Sequence, residues 1–426
     1  MGVFKSYDVR GTYPDEINEE IAYKIGRAAV LFLKCKKIGV GRDCRLSSPA
    51  LAKSLIYGIT DQGADVVDFG LTSTPCMNFA SKKFPVIMVT ASHNPADYNG
   101  FKIVGKNLAK IGFANGLDKI QSMIEDDFPA AKRKGTVLPG RILPEYVKKV
   151  RSVVRRLRPL RVLFDTGNGM GGLIIPEVLK GLPIKYKILF KEPDGSFPNH
   201  LADPVKAQNT ADLQREVVKG RYNLGIAYDA DCDRVKFIDE KGNRIRSEYA
   251  LVLIAKYLRV DKVVKTVSCS RIIDDLFKHV FVSTVGHVNV AEMMKKHDCD
   301  IGAEISGHFF FKKFWFADSG DVAMLCMLGV LSENRKPLSA LVAPLETYFN
   351  AEEINIKVKD ADKALKNIEK HFSSAKISEL DGLSVDAGEF WFNIRKSNTE
   401  PLVRLNAEAK TKKDLDDCIK KVKSLV

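Results

Sequence analysis

The sequence predicts an α/β protein in which three successive α/β domains precede a smaller C-terminal α+β domain. Segments with helical periodicity alternate with short apolar runs along most of the 426 residues, as in repeated strand–helix units. The end of the chain differs, because Ile354, Ile356 and Val358 alternate as in a half-exposed strand. Polar loops follow several predicted strands, and ligands bind such loops in parallel sheets.

The first third of the chain alternates predicted helices and strands. Helical spacing predicts a helix over 17–33, and Ser47-Ser48-Pro49 predicts the start of another, with a capping serine. Short apolar runs at 38–40 and 84–90 predict strands. Prolines, glycines and basic residues in 129–144 indicate a domain boundary.

The remaining units follow the same alternation. We expect a helix over 145–158 and strands at 161–164, 223–228, 235–239, 390–394 and 402–408, with a last helix from 411. The pair at 223–228 and 235–239 flanks a very acidic loop. We therefore place the four domains at 1–137, 138–242, 243–345 and 346–426.

Composition and charge exclude several classes of protein. With 45% apolar and 28% charged residues, the chain is of the soluble globular type. Its eight scattered cysteines contain no Cys-x-x-Cys pair, which favours reduced thiols in the cytoplasm over zinc. The net charge of +14 does not indicate nucleic-acid or membrane binding, because the densest basic stretches, 147–161 and 410–423, carry apolar stripes typical of amphipathic helices.

The acidic loop is the strongest chemical signal. Asp229, Asp231 and Asp233 follow a predicted strand at i, i+2 and i+4, so their carboxylates can converge and would repel one another without a cation. All-oxygen ligation favours Mg²⁺, Mn²⁺ or Ca²⁺. The alternative is a solvated acidic turn. An EF-hand is rejected, because Arg234 stands where that loop requires glycine.

Ser92 and His93 form the second signal, in a loop after the strand at 84–90. A serine beside a histidine suggests a nucleophile, but the Gly-x-Ser-x-Gly elbow of hydrolases is missing, and adjacent loop residues rarely point at each other. Without a partner, this segment is interpreted as a turn with a capping serine. A hydroxyl facing a cation on the acidic loop would be a phosphoryl carrier.

Two further loops bear polar groups. Residues 395–401 with Arg404 gather cations, hydroxyls and an amide that match a phosphate dianion, the alternative being a decorated hairpin turn. Glu304 and Ser306 are two residues apart, which places them on one face of an extended loop. A carboxylate there would accept hydrogen bonds from adjacent sugar hydroxyls.

Together these features resemble the α-D-phosphohexomutases over the whole chain. The matching motifs, in order, are 4–11, 41–45, 90–95, 99–102, 165–169, 229–234, 302–308 and 395–401. The resemblance implies four domains with mixed sheets around a central cleft, one Mg²⁺ per chain, a phosphoserine and a hexose 1,6-bisphosphate. By motif match, Ser92 is the phosphoserine and contributes to the metal site with Asp229, Asp231 and Asp233. Residues expected around the reacting phosphoryl group are Arg10, His93, Lys102, Arg234 and His308. Residues expected on the substrate are Tyr7, His287, Glu304, Ser306, Arg395, Ser397, Asn398, Thr399 and Arg404.

The implied activity is reversible transfer of phosphate between O6 and O1 of a hexose phosphate. Residues 397–401 and 403–406 resemble phosphomannomutases and bifunctional phosphomannomutase/phosphoglucomutases, so we expect mannose or glucose phosphate as substrate. A phosphoglucosamine mutase and a non-catalytic sugar-phosphate sensor are the alternatives. The expected partners are small hexose phosphates, with the chain acting as a monomer or homodimer.

Overall fold

A computed structural model of the chain describes residues 2–126, 129–351, 353–396 and 402–426. Its contacts divide the chain into two compact units. The first unit comprises Met1–Arg246 with Ser306–Ser339, and the second comprises Ser247–Ile305 with Ala340–Val426. Among the helices that the structure describes, none combines the length and the apolar character needed to cross a membrane.

A mixed sheet with alternating helices begins the first unit. Its strands are β1 (Val9–Thr12), β2 (Lys37–Arg42), β3 (Asp65–Leu71), β4 (Val86–Val89), β5 (Tyr98–Gly105), β6 (Ala109–Lys110) and β7 (Val137–Pro139). Its helices are α1 (Glu19–Leu33), α2 (Ser48–Asp61), α3 (Thr74–Ala80) and α4 (Leu117–Glu125). The strand order is β1-β5-β4-β2-β3-β7, in which β4, β2, β3 and β7 are parallel and β5 is antiparallel to β1 and β4.

The helices and strands predicted in this part are confirmed, with one local correction. Helix α2 begins after Ser47, but the Ser47 side chain makes no capping hydrogen bond. Its hydroxyl instead accepts a hydrogen bond from Asn99 at 2.8 Å, and Ser48 donates to Asp43 at 2.6 Å. Tertiary partners have therefore replaced the predicted local cap.

The second sheet also belongs to the first unit. Helix α5 (Leu143–Arg151) precedes strands β8 (Leu160–Asp165), β9 (Ile184–Leu189), β10 (Leu224–Tyr228), β11 (Val235–Ile238) and β12 (Arg244–Ile245), with helices α6 (Gly171–Leu179) and α7 (Ala211–Lys219). The strand order is β12-β11-β10-β8-β9, with β8, β9 and β10 parallel. The predicted helix 145–158 is wrong beyond Arg151, because tertiary contacts hold the following segment. There Arg158 donates from its main-chain N–H to Ser332 at 3.2 Å and from Nε to the Leu331 carbonyl at 3.1 Å.

The next elements divide between the two units. The second unit contains helix α8 (Ser247–Leu258), strand β13 (Lys262–Thr266), helix α9 (Ile272–Leu276), strand β14 (His279–Ser283), helix α10 (His287–His297) and strand β15 (Ile301–Ala303). Strand β13 pairs in parallel with both β14 and β15. The antiparallel hairpin of β16 (Phe309–Phe311) and β17 (Ala317–Asp318) and helix α11 (Gly320–Asn334) lie in the first. Helix α12 (Leu338–Val342) crosses the boundary.

The C-terminal part is an antiparallel sheet with two helices. Its strands are β18 (Phe349–Asn350), β19 (Ile354–Lys357), β20 (Lys376–Ser378), β21 (Leu383–Asp386), β22 (Phe390–Lys396) and β23 (Leu402–Ala409). Its helices are α13 (Ala361–His371) and α14 (Lys412–Leu425). The register pairs Arg395 with Arg404, so both arginines stand side by side on neighbouring strands. The predicted α+β character of this part is confirmed.

Candidate active site

The three aspartates of the acidic loop lie together in the turn between β10 and β11. All three are buried, and Asp229, Asp231 and Asp233 each offer a carboxylate oxygen within 4.8 Å of the others. The turn closes because Cys232 adopts the left-handed conformation (φ 69°) and its N–H donates to the Asp229 carbonyl at 3.2 Å. The carboxylates therefore converge as the sequence predicted.

The glycine-rich motif 165–169 supports this turn. The N–H of Met170 donates to the Ala230 carbonyl at 2.8 Å. A Cβ on Gly169 would lie 2.7 Å from the Ala230 carbonyl oxygen, closer than real Cβ contacts come. Only glycine allows the two main chains to approach in this way.

The donor set of the acidic loop fits a divalent cation. Lys102 on β5 places its ammonium 2.6 Å from one oxygen of Asp231 and 2.6 Å from one oxygen of Asp233. The second oxygen of each of these two carboxylates is buried and accepts no hydrogen bond from the residues that the structure describes. One ammonium does not neutralise three carboxylates, and oxygen-only donors suit Mg²⁺.

The charges in this cluster shift one another's pKa values. Burial, with the charges of Asp233 and Asp231, raises the pKa of Asp229 well above its usual range. Burial alone would raise the pKa of Asp233 as well, but Lys102, His308 and Arg234 together hold that pKa below its ordinary value. Burial would lower the pKa of Lys102, yet the aspartates raise it above its ordinary value. Lys102 is therefore charged.

Ser92 faces the acidic loop from the segment after β4. Its side chain is buried, and its hydroxyl donates to Asp229 at 2.8 Å. The same hydroxyl lies 3.3 Å from Nδ1 of His93, so the expectation that these neighbours diverge is wrong. Ser92 adopts the left-handed conformation (φ 51°) at this point. Burial and the nearby Arg234 and Arg10 lower the pKa of His93, so its ring is neutral.

Arg10 joins the Ser92 loop from β1. Its guanidinium pairs with Asp8 and donates to the Asn94 side chain, in the latter case at 2.8 Å. Tyr7 lies just before this strand and is half-buried. The structure thus places Arg10 beside the loop that carries Ser92.

Arg234 and His308 contact each other beside the acidic loop, where Nδ1 of His308 lies 3.7 Å from Asp233. Nε of Arg234 donates to Nε2 of His308 at 2.9 Å, and Nδ1 of His308 lies 3.0 Å from an oxygen of Asp318. Lys110 donates to the other oxygen of Asp318 at 2.7 Å. Nε2 of His308 is therefore the acceptor in its contact with Arg234, and Nδ1 faces the Asp318 carboxylate.

Sequence reasoning missed Asp318, Lys110 and also Thr74. Thr74 begins α3, and both its N–H (2.9 Å) and its hydroxyl donate to Asp231. Each of these residues contacts its partner from a distant part of the chain, and none stands in a motif that the sequence marks. Of the three, only Asp318 has a sequence signal that could have been used, because it is a polar residue at the end of a strand, β17.

In the second unit, Glu304 and His287 belong to one local arrangement. Glu304 is buried after β15, and its carboxylate accepts a hydrogen bond from the Gly286 N–H at 2.7 Å. His287 follows Gly286 as the first residue of α10 and is half-buried. Ser306, also half-buried, is the first residue assigned back to the first unit.

The paired arginines of β22 and β23 share one carboxylate. Glu353 has one oxygen 3.7 Å from Arg395 and the other 3.4 Å from Arg404. Two cations against one anion leave an excess of positive charge there, as a phosphate-binding site needs. The predicted site residues Ser397, Asn398 and Thr399 lie outside the described residues.

Comparison with known proteins extends this picture over the chain. The models of phosphoglucomutase/phosphomannomutase alpha/beta/alpha domains I, II and III match residues 1–130, 144–242 and 246–348, and that of the C-terminal domain matches residues 353–425. A phosphomannomutase of Escherichia coli is 37% identical, with 96% of this chain and 95% of that protein covered. One of Methanocaldococcus jannaschii is 34% identical, with coverage of 100% and 97%.

A solved structure is similar over the same extent. The crystal structure of a phosphoglucomutase/phosphomannomutase family protein from Burkholderia thailandensis superposes with a TM-score of 0.90 at 29% identity, covering 99% of this chain and 97% of that one. Fold and site thus define an isomerase that acts on hexose phosphates. The chain belongs to the phosphoglucomutase/phosphomannomutase family, as the motifs predicted.

Proposed function

We propose that this chain transfers a phosphoryl group reversibly between O6 and O1 of mannose or glucose phosphate, through phosphorylated Ser92 and a hexose 1,6-bisphosphate. The observation that carries this proposal is the 2.8 Å hydrogen bond from the buried Ser92 hydroxyl to Asp229 in the three-aspartate loop. It sets a phosphoryl-accepting oxygen beside three carboxylates that suit Mg²⁺, the ion that would neutralise a transferring phosphoryl group. Mannose is supported by relatives named phosphomannomutase.

In each half-reaction one P–O bond breaks and another forms. The Ser92–phosphoryl bond breaks while a free sugar hydroxyl bonds to phosphorus, so the hydroxyl loses a proton and the Ser92 oxygen gains one. The bisphosphate then turns and returns its other phosphate to Ser92. Arg10, Lys102 and Arg234 offset the charge of the moving group. Proton transfer is assigned to His308, whose Nε2 is a hydrogen-bond acceptor that Arg234 Nε contacts.

The metal site of the proposal consists of Asp229, Asp231, Asp233 and the phosphorylated Ser92. Bound Mg²⁺ supplies charge neutralisation for the transferring phosphoryl group. The protein side chains supply orientation, because the aspartates and Ser92 are buried and fixed by hydrogen bonds.

Substrate recognition is assigned to the remaining predicted residues. Glu304, Ser306 and His287 would contact sugar hydroxyls, and Tyr7 would also bind the substrate. The distal phosphate would be held by Arg395 and Arg404 with the predicted residues 397–399. The excess positive charge around Glu353 supports this assignment.

Ser92→Ala tests the phosphoryl carrier. We expect mutase activity to fall by roughly 10⁴-fold or more, because covalent transfer has no acceptor. Intact mass after incubation with glucose 1,6-bisphosphate should gain one phosphoryl group in the wild type and none in the variant. Ser81→Ala is the matched control, since Ser81 is also buried but donates to the Asn78 carbonyl outside the site. Full turnover by Ser92→Ala would refute the role.

A second assay separates the alternatives. Mannose, glucose and glucosamine 1-phosphates are supplied in turn with Mg²⁺ and a bisphosphate primer. We expect turnover with the first two. Preference for glucosamine 1-phosphate would instead indicate a phosphoglucosamine mutase, and binding without turnover would indicate a sensor.

We also propose a cytoplasmic location, a monomeric or homodimeric state and the four domains at 1–137, 138–242, 243–345 and 346–426. The free state of all eight cysteines supports a reducing compartment. The four family matches, at 1–130, 144–242, 246–348 and 353–425, support the division into four.

A further inference from the structure

Arg45, in the loop between β2 and α2, is a buried arginine whose donors are directed at the Ser92 segment. Its relative exposure is 1%. One terminal nitrogen donates to the carbonyls of Ser92 and Asn94, each at 2.7 Å. The other donates to the carbonyls of Pro95 and Tyr98, the latter at 2.9 Å. Arg45 therefore binds four main-chain oxygens of one loop.

This loop needs such support. Ser92 is in the left-handed conformation (φ 51°), which side chains with a Cβ seldom adopt and which persists only where surrounding structure holds it. The same conformation directs the Ser92 hydroxyl to Asp229. Arg45 holds the carbonyl of Ser92 and three carbonyls that follow it, which constrains the main chain that directs the hydroxyl.

The residues around Arg45 contact its guanidinium and its main chain closely. Its Nε lies 3.2 Å from Asp43, and its guanidinium lies 5.1 Å from the centre of the Phe197 ring. Gly195 packs on its main chain, where a Cβ would lie 2.5 Å from Cα of Arg45. Burial lowers the pKa of Arg45, an effect that Asp43 opposes. A buried cation is tolerated here because both terminal nitrogens are hydrogen-bonded and the Asp43 carboxylate lies beside Nε.

We propose that Arg45 is a positioning residue for phosphoryl transfer, which holds the main chain of the Ser92 loop so that the hydroxyl meets the aspartates. This inference rests on the proposed function of Ser92. Lysine cannot replace it, because an ammonium is a point charge without the planar fork that reaches four carbonyls.

Arg45→Lys tests the proposal against a matched control. Arg151 also donates to main-chain carbonyls, those of Glu177, Val178 and Lys180, but at the end of α6. We expect Arg45→Lys to lower kcat about 100-fold with little change in KM, because the nucleophile is displaced while the substrate-binding residues are intact. Hydrogen exchange in 91–98 should accelerate in Arg45→Lys and not in Arg151→Lys.

Asp43→Asn is a second, milder variant that tests the same proposal if Arg45→Lys does not fold. It preserves the arginine and removes the charge of its ion pair, while an amide oxygen can still accept from Ser48 and from the Arg45 N–H. Exchange in 91–98 and kcat should therefore change in the same directions by smaller factors. The proposal is overturned if exchange in that segment is unaffected in every folded variant at these positions, or if kcat does not follow it. Phosphorylation of the wild type by the bisphosphate is measured in parallel, so a failure of the Ser92 assignment is recognised separately.

Discussion

At the scale of single residues, the site depends on side chains that hold other side chains. Ser92, Lys102 and Thr74 all contact the acidic loop, and Thr74, which is not a proposed metal ligand, donates its N–H and its hydroxyl to Asp231. Partners of this kind orient metal ligands, and their loss commonly weakens metal binding 10- to 100-fold. Thr74 thus offers a test of the metal site that leaves every proposed ligand in place.

We expect Thr74→Val to weaken Mn²⁺ binding by about 10-fold or more, because the Asp231 carboxylate loses a donor that orients it. Isothermal titration or electron paramagnetic resonance of Mn²⁺ gives the Kd directly. Thr74→Ser should restore it. Thr60→Val is the control, since the Thr60 hydroxyl donates within α2 to the carbonyls of Ile56 and Tyr57. Unchanged Kd in Thr74→Val would contradict the assigned contact.

At the scale of secondary-structure elements, Asp321 links α11 to α5 and β10. It is fully buried in the first turn of α11 and accepts hydrogen bonds from Tyr146 at 2.6 Å and from Tyr228 at 3.3 Å. Burial raises the pKa of Asp321 to about 6, although both tyrosines oppose the shift. The folded state thus binds this proton more tightly than the unfolded state does.

The sign of the pH dependence follows. When folding raises the pKa of an acid, that acid does not destabilise the folded state at a pH below its pKa in the unfolded state. As the pH rises, the destabilisation grows until the pH exceeds the pKa in the folded state. Between pH 5 and pH 7.5 the free energy of unfolding of Asp321→Asn should therefore improve by about 1 kcal/mol relative to the wild type. Urea unfolding in a Trp391→Phe background reads the first unit through Trp315 alone. A difference that is constant with pH would show that Asp321 does not titrate in this range.

The elements also show what the sequence can predict. Short apolar runs predict strands such as β4 and β10, and the polar residues that end these runs predict the loops after them. Contacts between distant segments do not. Thr74 lies 157 residues from Asp231, and by itself the threonine has the pattern of a helix start. Helix α5 ends early for the same reason, because Ser332 and Leu331 hold the segment after it.

At the scale of the whole molecule, the division into units differs from the order along the chain. Periodicity predicts four successive domains, yet residues Ser306–Ser339 pack with Met1–Arg246. A hairpin and a helix have the same sequence pattern whichever core they pack against. The packing of these residues with the first unit therefore cannot be predicted from the sequence pattern. It brings His308 and Asp318 into the unit that holds Asp229, Asp231 and Asp233.

This division predicts where a metal ion stabilises the protein. Every proposed ligand lies in the first unit, so Mg²⁺ binds the folded state of that unit. At 100 times the Kd, binding adds about 2.7 kcal/mol, which corresponds to a rise of roughly 5 °C in Tm for a unit of this size. Each unit contains one tryptophan, Trp315 in the first and Trp391 in the second.

Thermal unfolding of Trp391→Phe and Trp315→Phe, each followed by fluorescence with and without Mg²⁺, separates the two units. We expect the Trp315 signal to shift to higher temperature and the Trp391 signal to stay. Asp231→Asn should abolish the shift, because the site then lacks one of its three carboxylates. A rise that survives Asp231→Asn would contradict the assigned metal site, and an equal rise for both tryptophans that Asp231→Asn abolishes would show that the two units unfold together.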